Sequence, residues 1–168
     1  MDIPEDQYAL YAEFGMTAEK AQVLETEAGN VALSYLALFV NTDTITPEET
    51  EMYRSIENDV NRKTLGALLK HIKGQMHFDD TIVGIIDEGV KQRNYLTHHF
   101  FRTHNFALFS EEGRKVMVAE LKDIQGKLDK AHAMLRVISE LLDKIAGRAG
   151  MANEAALRLQ TRGKTVKL

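Results

Sequence analysis

The chain has 168 residues, a formal net charge of −4 and no cysteine. This length fits one domain that can bury a hydrophobic core without cross-links, and the lack of cysteine excludes disulfides and thiolate metal sites and fits the reducing cytoplasm in which we expect the protein. The net acidity provides no general attraction to phosphate, so contact with nucleic acid would require a local patch.

The amino-terminal residues, from Met1 to Asp6, are acidic and polar. A signal peptide would need positive charge followed by an apolar run. No later segment approaches the roughly 18 uninterrupted apolar residues of a membrane span. We therefore expect neither secretion nor membrane contact.

Helical patterns begin after Thr17, a residue suited to the N-cap position of a first helix ending near Asn41. Apolar residues follow at spacings of three and four, as on one face of a helix: Ala21, Leu24, Ala28, Val31, Tyr35 and Leu38. A second helix is predicted over about 47–60, because Thr46, Pro47 and Glu49 combine an N-cap, a first-turn proline and a capping-box glutamate. Residues 64–73 indicate a shorter helical piece, which Gly74 is placed to end.

A third long helix is predicted to open at Asp79 or Asp80. Its apolar side carries Ile82, Ile85, Ile86, Val90, Leu96 and Phe100. Ser110 then caps a fourth helix, whose first turn contains two glutamates that favour the positive end of the helix dipole. That helix has the longest apolar seam, at alternating spacings of four and three: Met117, Leu121, Ile124, Leu128, Ala131, Leu135, Ile138, Leu142 and Ile145.

Such a seam fits a coiled coil or one wall of a bundle, and the short connections favour the bundle. After Gly147 the composition becomes basic, and residues 148–168 are expected to form a short helix near 151–161 and a frayed end. The sequence therefore predicts an all-α fold, an antiparallel bundle of four to five helices in a single domain over 1–168.

The third helix contains a polar cluster, residues 93–101, in a segment expected to be buried. Buried polar groups are costly unless they are paired, so such a cluster indicates a satisfied network or a working site. Asn94, His98 and Arg102 share one stripe of the helix, and Tyr95 and His99 lie on a neighbouring stripe. Arg93 continues the apolar row and lies about 140° around the helix from His98, so the two would need a cleft to converge.

Arg93, Asn94 and His98 resemble the motif of the HEPN superfamily, in which an arginine, often followed by a polar residue, precedes a histidine after four to six residues. Helix order supports the resemblance, as does the segment from Thr64 to Leu69, which is similar to the second-helix segment of several such proteins. The likeness covers about 17–147. The N-terminal arm and the basic tail 148–168 lie outside it.

The resemblance implies a metal-independent endoribonuclease, commonly a toxin or defence effector, that works as a homodimer with RNA as its substrate. His98 would be the base or acid, Arg93 would hold the phosphate, and Asn94 would orient the imidazole or the nucleotide. His99, Tyr95 and Arg102 are candidate supporting residues. No metal or cofactor is implied.

One position departs from a subset of these toxins, which carry a modifiable tyrosine two residues after the motif histidine and are paired with a nucleotidyltransferase antitoxin. Here that position is Phe100. This weakens the expectation of that control mechanism, although an antitoxin or another regulatory protein stays a possible partner, and Tyr95 or another tyrosine could be modified instead.

Two alternatives accompany the nuclease. The first is a catalytically silent helical protein, a dimerising adaptor or an immunity partner, in which the polar cluster is only a structural network. The second is a transition-metal site that uses His98, His99 and His104. The second is disfavoured because dimetal bundles use Glu-x-x-His pairs, and the sequence has none.

Overall fold

The computed structural model describes residues 3–36, 38, 46–48, 51 and 78–147. The helices whose two ends both lie in these ranges are α1 (Glu5–Leu36), α2 (Asp80–His98), α3 (Phe100–Thr103), a 3-10 helix (Ala107–Phe109) and α4 (Glu111–Ile145). The all-α bundle predicted from the sequence is confirmed. Among the described helices, none has both the length and the apolar character that a membrane crossing requires.

Several predicted elements fall wholly or partly outside these ranges. Residues 47, 48 and 51 are helical, in agreement with the start predicted at Pro47. The rest of the helix predicted over 47–60, the piece at 64–73 and the tail helix near 151–161 lie outside the described residues.

Helix α1 begins earlier than the sequence suggested. It starts at Glu5, directly after Pro4, whose carbonyl accepts hydrogen bonds from the N–H groups of Gln7 (3.0 Å) and Tyr8 (3.2 Å). Thr17 is therefore inside the helix, and its assignment as the N-cap was wrong. Its hydroxyl donates to the Glu13 carbonyl at 2.7 Å, a bond to the preceding turn that lets threonine occupy a helix interior. Residues 5–16, expected to precede the bundle, belong to it.

The predicted starts of α2 and α4 are confirmed, whereas the ends predicted near Asn41 and at Gly74 lie outside the described residues. Asp79 caps α2 by accepting the Thr81 N–H at 2.8 Å, and hydrogen bonding to Thr81 lowers the pKa of the Asp79 carboxyl. Ser110 caps α4 by accepting the Gly113 N–H at 3.0 Å. Gly147 adopts a φ of 70°, the left-handed conformation in which glycine commonly ends a helix.

The two long helices, α1 and α4, run parallel. Five side-chain hydrogen bonds join them, and each pairs residues between 108 and 112 positions apart: Asp6 with Arg114, Glu13 and Thr17 with Gln125, Lys20 with Asp129, and Ser34 with Asp143. This separation stays nearly constant along the helices, whereas in an antiparallel pair it would shrink steadily from one end to the other.

The core lies along this parallel pair. On α4 the predicted seam is buried from Met117 to Leu142, while Ile145 is 65% exposed, so its assignment to the seam was wrong. On α1 the buried residues follow the same spacings of three and four: Leu10, Thr17, Ala21, Leu24, Ala28 and Val31. Two matching seams face each other.

Helix α2 runs antiparallel to both long helices. Midway along α2, Gly89 lies against Leu24 of α1 and Ala131 of α4, whereas Phe100, just past the end of α2, packs on Phe14, earlier in α1, with ring centroids 5.8 Å apart. A methyl group at Gly89 would clash with the Ala131 side chain. The missing side chain therefore allows α2 to enter the groove between α1 and α4.

Gly89→Ala is expected to destabilise the protein by about 1–3 kcal/mol, since the added methyl overpacks a tight contact. Gly84→Ala, on the same helix, meets nothing within 4 Å and should stabilise by about 0.5–1 kcal/mol through helix propensity. Urea unfolding followed by circular dichroism measures both. Equal effects of the two substitutions would contradict the close approach at Gly89.

Candidate functional site

The predicted polar cluster lies at the carboxyl end of α2 and is mostly exposed. Asn94, His98 and His99 face solvent, as does Arg102 on α3. The expectation that this cluster is buried was wrong, because the buried row of α2 runs through Ile86, Gly89, Gln92 and Leu96 and leaves the motif positions on other faces. In the described part of the chain, every buried side-chain nitrogen and oxygen has a hydrogen-bond partner.

Arg93 is the motif residue that is fixed by protein contacts. Its Nη1 donates to Oδ1 of Asn94 at 3.0 Å, and its Nη2 forms an ion pair with Glu25 of α1. Only 20% of its side chain is exposed. Through this ion pair Arg93 reaches α1, so its guanidinium turns toward Glu25 and not toward His98. Among the described residues, no hydrogen bond or ion pair joins Arg93 to His98.

His98 and His99 occupy the break between α2 and α3. The His99 backbone has φ −128° and ψ −26°, which ends α2, although its N–H still donates to the Tyr95 carbonyl at 2.8 Å. The two imidazole rings stand edge to face, with centroids 6.2 Å apart. Thr97, directly before them, donates its hydroxyl to the Arg93 carbonyl at 2.9 Å. The His98 imidazole is thus presented to solvent at a well-defined helix end.

A second polar cluster sits beneath this end and was missed from the sequence. His104 Nε2 lies 2.6 Å from Glu120 Oε2 on α4, and the Tyr95 hydroxyl also hydrogen-bonds to Glu120. Burial, followed by the hydrogen bond to Glu120, raises the pKa of Tyr95. The ring of the fully buried Phe100 packs on His104, with centroids 4.9 Å apart.

His104 is the C-cap residue of α3, and only 12% of its side chain is exposed. Its partner Glu120 is 16 positions away on another helix, so no local spacing in the sequence could have indicated the pair.

The metal-site alternative gains nothing from this geometry. Over residues 3–36 and 78–147, and at the few described positions between them, no three histidine or acidic side chains come together as metal ligands would. His104 is engaged with Glu120, while the exposed His98 and His99 contact each other through their rings.

A comparison of the chain with protein-family models, with curated proteins and with solved structures found no match. The resemblance to the HEPN motif therefore depends on Arg93, Asn94 and His98 and on the helix order of the chain. The roles assigned to these residues stay predictions.

Tyr95→Phe should cost about 1 kcal/mol of unfolding free energy at neutral pH, because Glu120 loses a hydrogen-bond donor in a half-buried site. The pKa of Tyr95 is raised in the folded protein, so this contribution is complete below the ordinary tyrosine value of 10.0. As the pH rises above that value, the unfolded state ionises first and the contribution is lost.

Urea unfolding of the wild type and Tyr95→Phe at neutral and strongly alkaline pH measures this loss as a narrowing difference between the two proteins. Tyr8→Phe is the matched control, because Tyr8 is 60% exposed, and it should change stability little at either pH. A difference between Tyr95→Phe and wild type that is the same at both pH values would contradict the assignment.

Proposed function

We propose that this protein is a metal-independent endoribonuclease of the HEPN type that cleaves RNA with Arg93, Asn94 and His98. One observation supports the proposal most. Arg93 and Asn94 are linked by a hydrogen bond of 3.0 Å, and the His98 imidazole, one helical turn after Asn94, is exposed to solvent at the end of α2. A fixed cation and a reachable acid–base group thus occupy one helix end.

The reaction needs a base, an acid and a cation that binds the phosphate, and it needs no metal. The ribose 2′-oxygen attacks the adjacent phosphorus, the new P–O2′ bond forms, and the bond from phosphorus to the 5′-oxygen of the next nucleotide breaks. A base takes the 2′-OH proton, and an acid protonates the leaving 5′-oxygen. His98 serves as one of these, and Arg93 stabilises the negative charge that builds on the phosphoryl oxygens.

Glu25 has a definite part in this scheme. Its ion pair with Arg93 holds the guanidinium in place, while a guanidinium carries enough N–H donors to bind a carboxylate, the Asn94 amide and a phosphate at once. The Arg93 side chain is also partly exposed, so a phosphate can approach its guanidinium. Lysine would be a poor replacement because it lacks the planar fork of donors.

The separation of Arg93 from His98 within one chain favours a homodimer. If two copies place their α2 ends against one cleft, the Arg93 of one subunit can serve the same phosphate as the His98 of the other, and the two histidines can divide the acid and base roles. A toxin or defence role in the cytoplasm, restrained by an antitoxin or another regulatory protein, follows from the resemblance and belongs to the same proposal.

Purified protein is expected to cleave single-stranded RNA in excess chelator. His98→Ala and Arg93→Ala should each lower the cleavage rate by at least about 100-fold, the contribution typical of an acid–base group or a charge-stabilising donor. Gel analysis of labelled RNA measures the rate, while circular dichroism and light scattering check that helicity and subunit mass are unchanged.

His132→Ala and Arg136→Ala are matched controls on α4, away from the α2 end, and should cleave at the wild-type rate. Full activity of His98→Ala and Arg93→Ala would contradict the site assignment. A stable dimer that cleaves no RNA under any condition would instead favour the silent adaptor or immunity protein.

A further inference from the structure

The turn between α3 and α4 exposes two phenylalanines. Phe106 and Phe109 are each 82% exposed, more than any other large hydrophobic residue in the described part of the chain. The Phe109 N–H donates to the Phe106 carbonyl at 3.2 Å across the 3-10 helix. Residues three apart eclipse each other in this kind of helix, so the two phenyl groups project from the same side. We call residues 104–110 the aromatic turn.

The aromatic turn is held firmly by the bundle. Arg114 of α4 donates from Nη1 to the Leu108 carbonyl at 2.9 Å and from Nε to Asp6 of α1 at 2.6 Å. Gly113 lies so close to the Ala107 backbone that a side chain there would clash. At the other end of the turn, His104 binds Glu120. Two phenyl groups displayed on a turn anchored at both ends indicate a binding surface.

The charge around the turn indicates what kind of partner it fits. The sequence from Arg93 to Phe109 contains no aspartate or glutamate, although the whole chain has 25 acidic residues and a net charge of −4. Of the two arginines in this stretch, Arg93 is paired with Glu25, whereas Arg102 is exposed; the acidic residues Glu111 and Glu112 follow only after the turn, at the start of α4. An exposed arginine beside two exposed aromatic rings suits a single-stranded nucleic acid, whose bases stack on the rings while a phosphate meets the cation.

The turn is also close to the proposed cleavage site. From His98 to His104 the backbone continues almost as a helix, since Thr103 N–H donates to the His99 carbonyl at 2.8 Å and His104 N–H to Phe100 at 3.1 Å. Phe106 comes eight positions after His98, a separation of about 12 Å if each step advances by the rise of a helix. A few nucleotides can span that distance, with Arg102 lying between the two ends.

We propose that the aromatic turn binds single-stranded RNA, with bases stacked on Phe106 and Phe109 and a phosphate held by Arg102, beside the His98 end of α2. The inference rests on the proposed ribonuclease function and specifies its substrate as unpaired RNA. Duplex RNA binds poorly, because its bases are already stacked on one another and cannot reach the phenyl rings.

The test measures binding of a fluorescein-labelled single-stranded oligoadenylate to the full chain by anisotropy, with His98→Ala present throughout so that the RNA stays intact. Adding Phe106→Ala or Phe109→Ala should weaken binding by on the order of ten-fold each. Phe106→Tyr should restore the affinity, since the ring is kept. Val137→Ala and Leu141→Ala, at 59% and 54% exposed positions on α4, are controls that should bind normally.

Salt dependence separates stacking from charge. Phe106→Ala should weaken binding equally at all salt concentrations, whereas Arg102→Ala should reduce the slope of log affinity against log salt by about 0.7, the value for one phosphate contact on a single strand. Parallel slopes for Arg102→Ala and the wild type would overturn its assigned contact.

Other outcomes overturn the inference as a whole. These are the absence of any binding, unchanged affinity in both phenylalanine variants, or equal affinity for a duplex of the same length. A fall in subunit mass in the phenylalanine variants with unchanged RNA affinity would assign the turn to contact with a second copy.

Failure of the inference and failure of the nuclease proposal are distinguishable. Turn-dependent binding by a wild-type protein that cuts no RNA contradicts the nuclease and supports the binding surface. RNA cleavage by the wild type, together with an RNA affinity that is unchanged in the Phe106 and Phe109 variants, contradicts only the proposed binding surface.

Discussion

The parallel packing of α1 on α4 is the constraint on which the rest of the structure depends. Both helices repeat apolar residues at spacings of four and three, and their cross-helix hydrogen bonds keep a nearly constant separation of 108 to 112 positions. A pair of 32 and 35 residues extends about 50 Å at 1.5 Å per residue. Because the pairing of α1 with α4 keeps one register over this length, it fixes the positions of the two helices relative to each other at both ends of the bundle.

The candidate site lies on α2, the shorter helix that packs into the groove between α1 and α4. Gly89 lets α2 approach Ala131 closely, and the Arg93 contact with Glu25 joins its far half to α1. Below the helix end, Tyr95 and His104 converge on Glu120 of α4. The exposed His98 therefore sits on a backbone tied to both long helices, which suits an acid–base group that must meet a substrate in a fixed position.

Much of the fold could be predicted from the sequence, because caps and apolar spacing are local properties. Asp79 and Ser110 mark helix starts because their side chains accept hydrogen bonds from backbone N–H groups of the first turn. Thr17 was wrongly predicted to be an N-cap, because the sequence alone does not distinguish a threonine that caps a helix from one that hydrogen-bonds to the preceding turn inside it. Of the site, the motif residues could be named, but their exposure and the contacts of Arg93 with Glu25 and of His104 with Glu120 depend on helix packing, which local spacing does not encode.

The chemistry of the RNA ends tests the central claim most directly. RNA incubated with the protein in excess chelator should yield fragments ending in a 2′,3′-cyclic phosphate and beginning with a 5′-hydroxyl, because the attacking oxygen comes from the RNA itself. End-labelling before and after phosphatase treatment distinguishes these ends. Fragments with 3′-hydroxyl and 5′-phosphate ends, or cleavage that requires added metal, would contradict a site made of Arg93, Asn94 and His98.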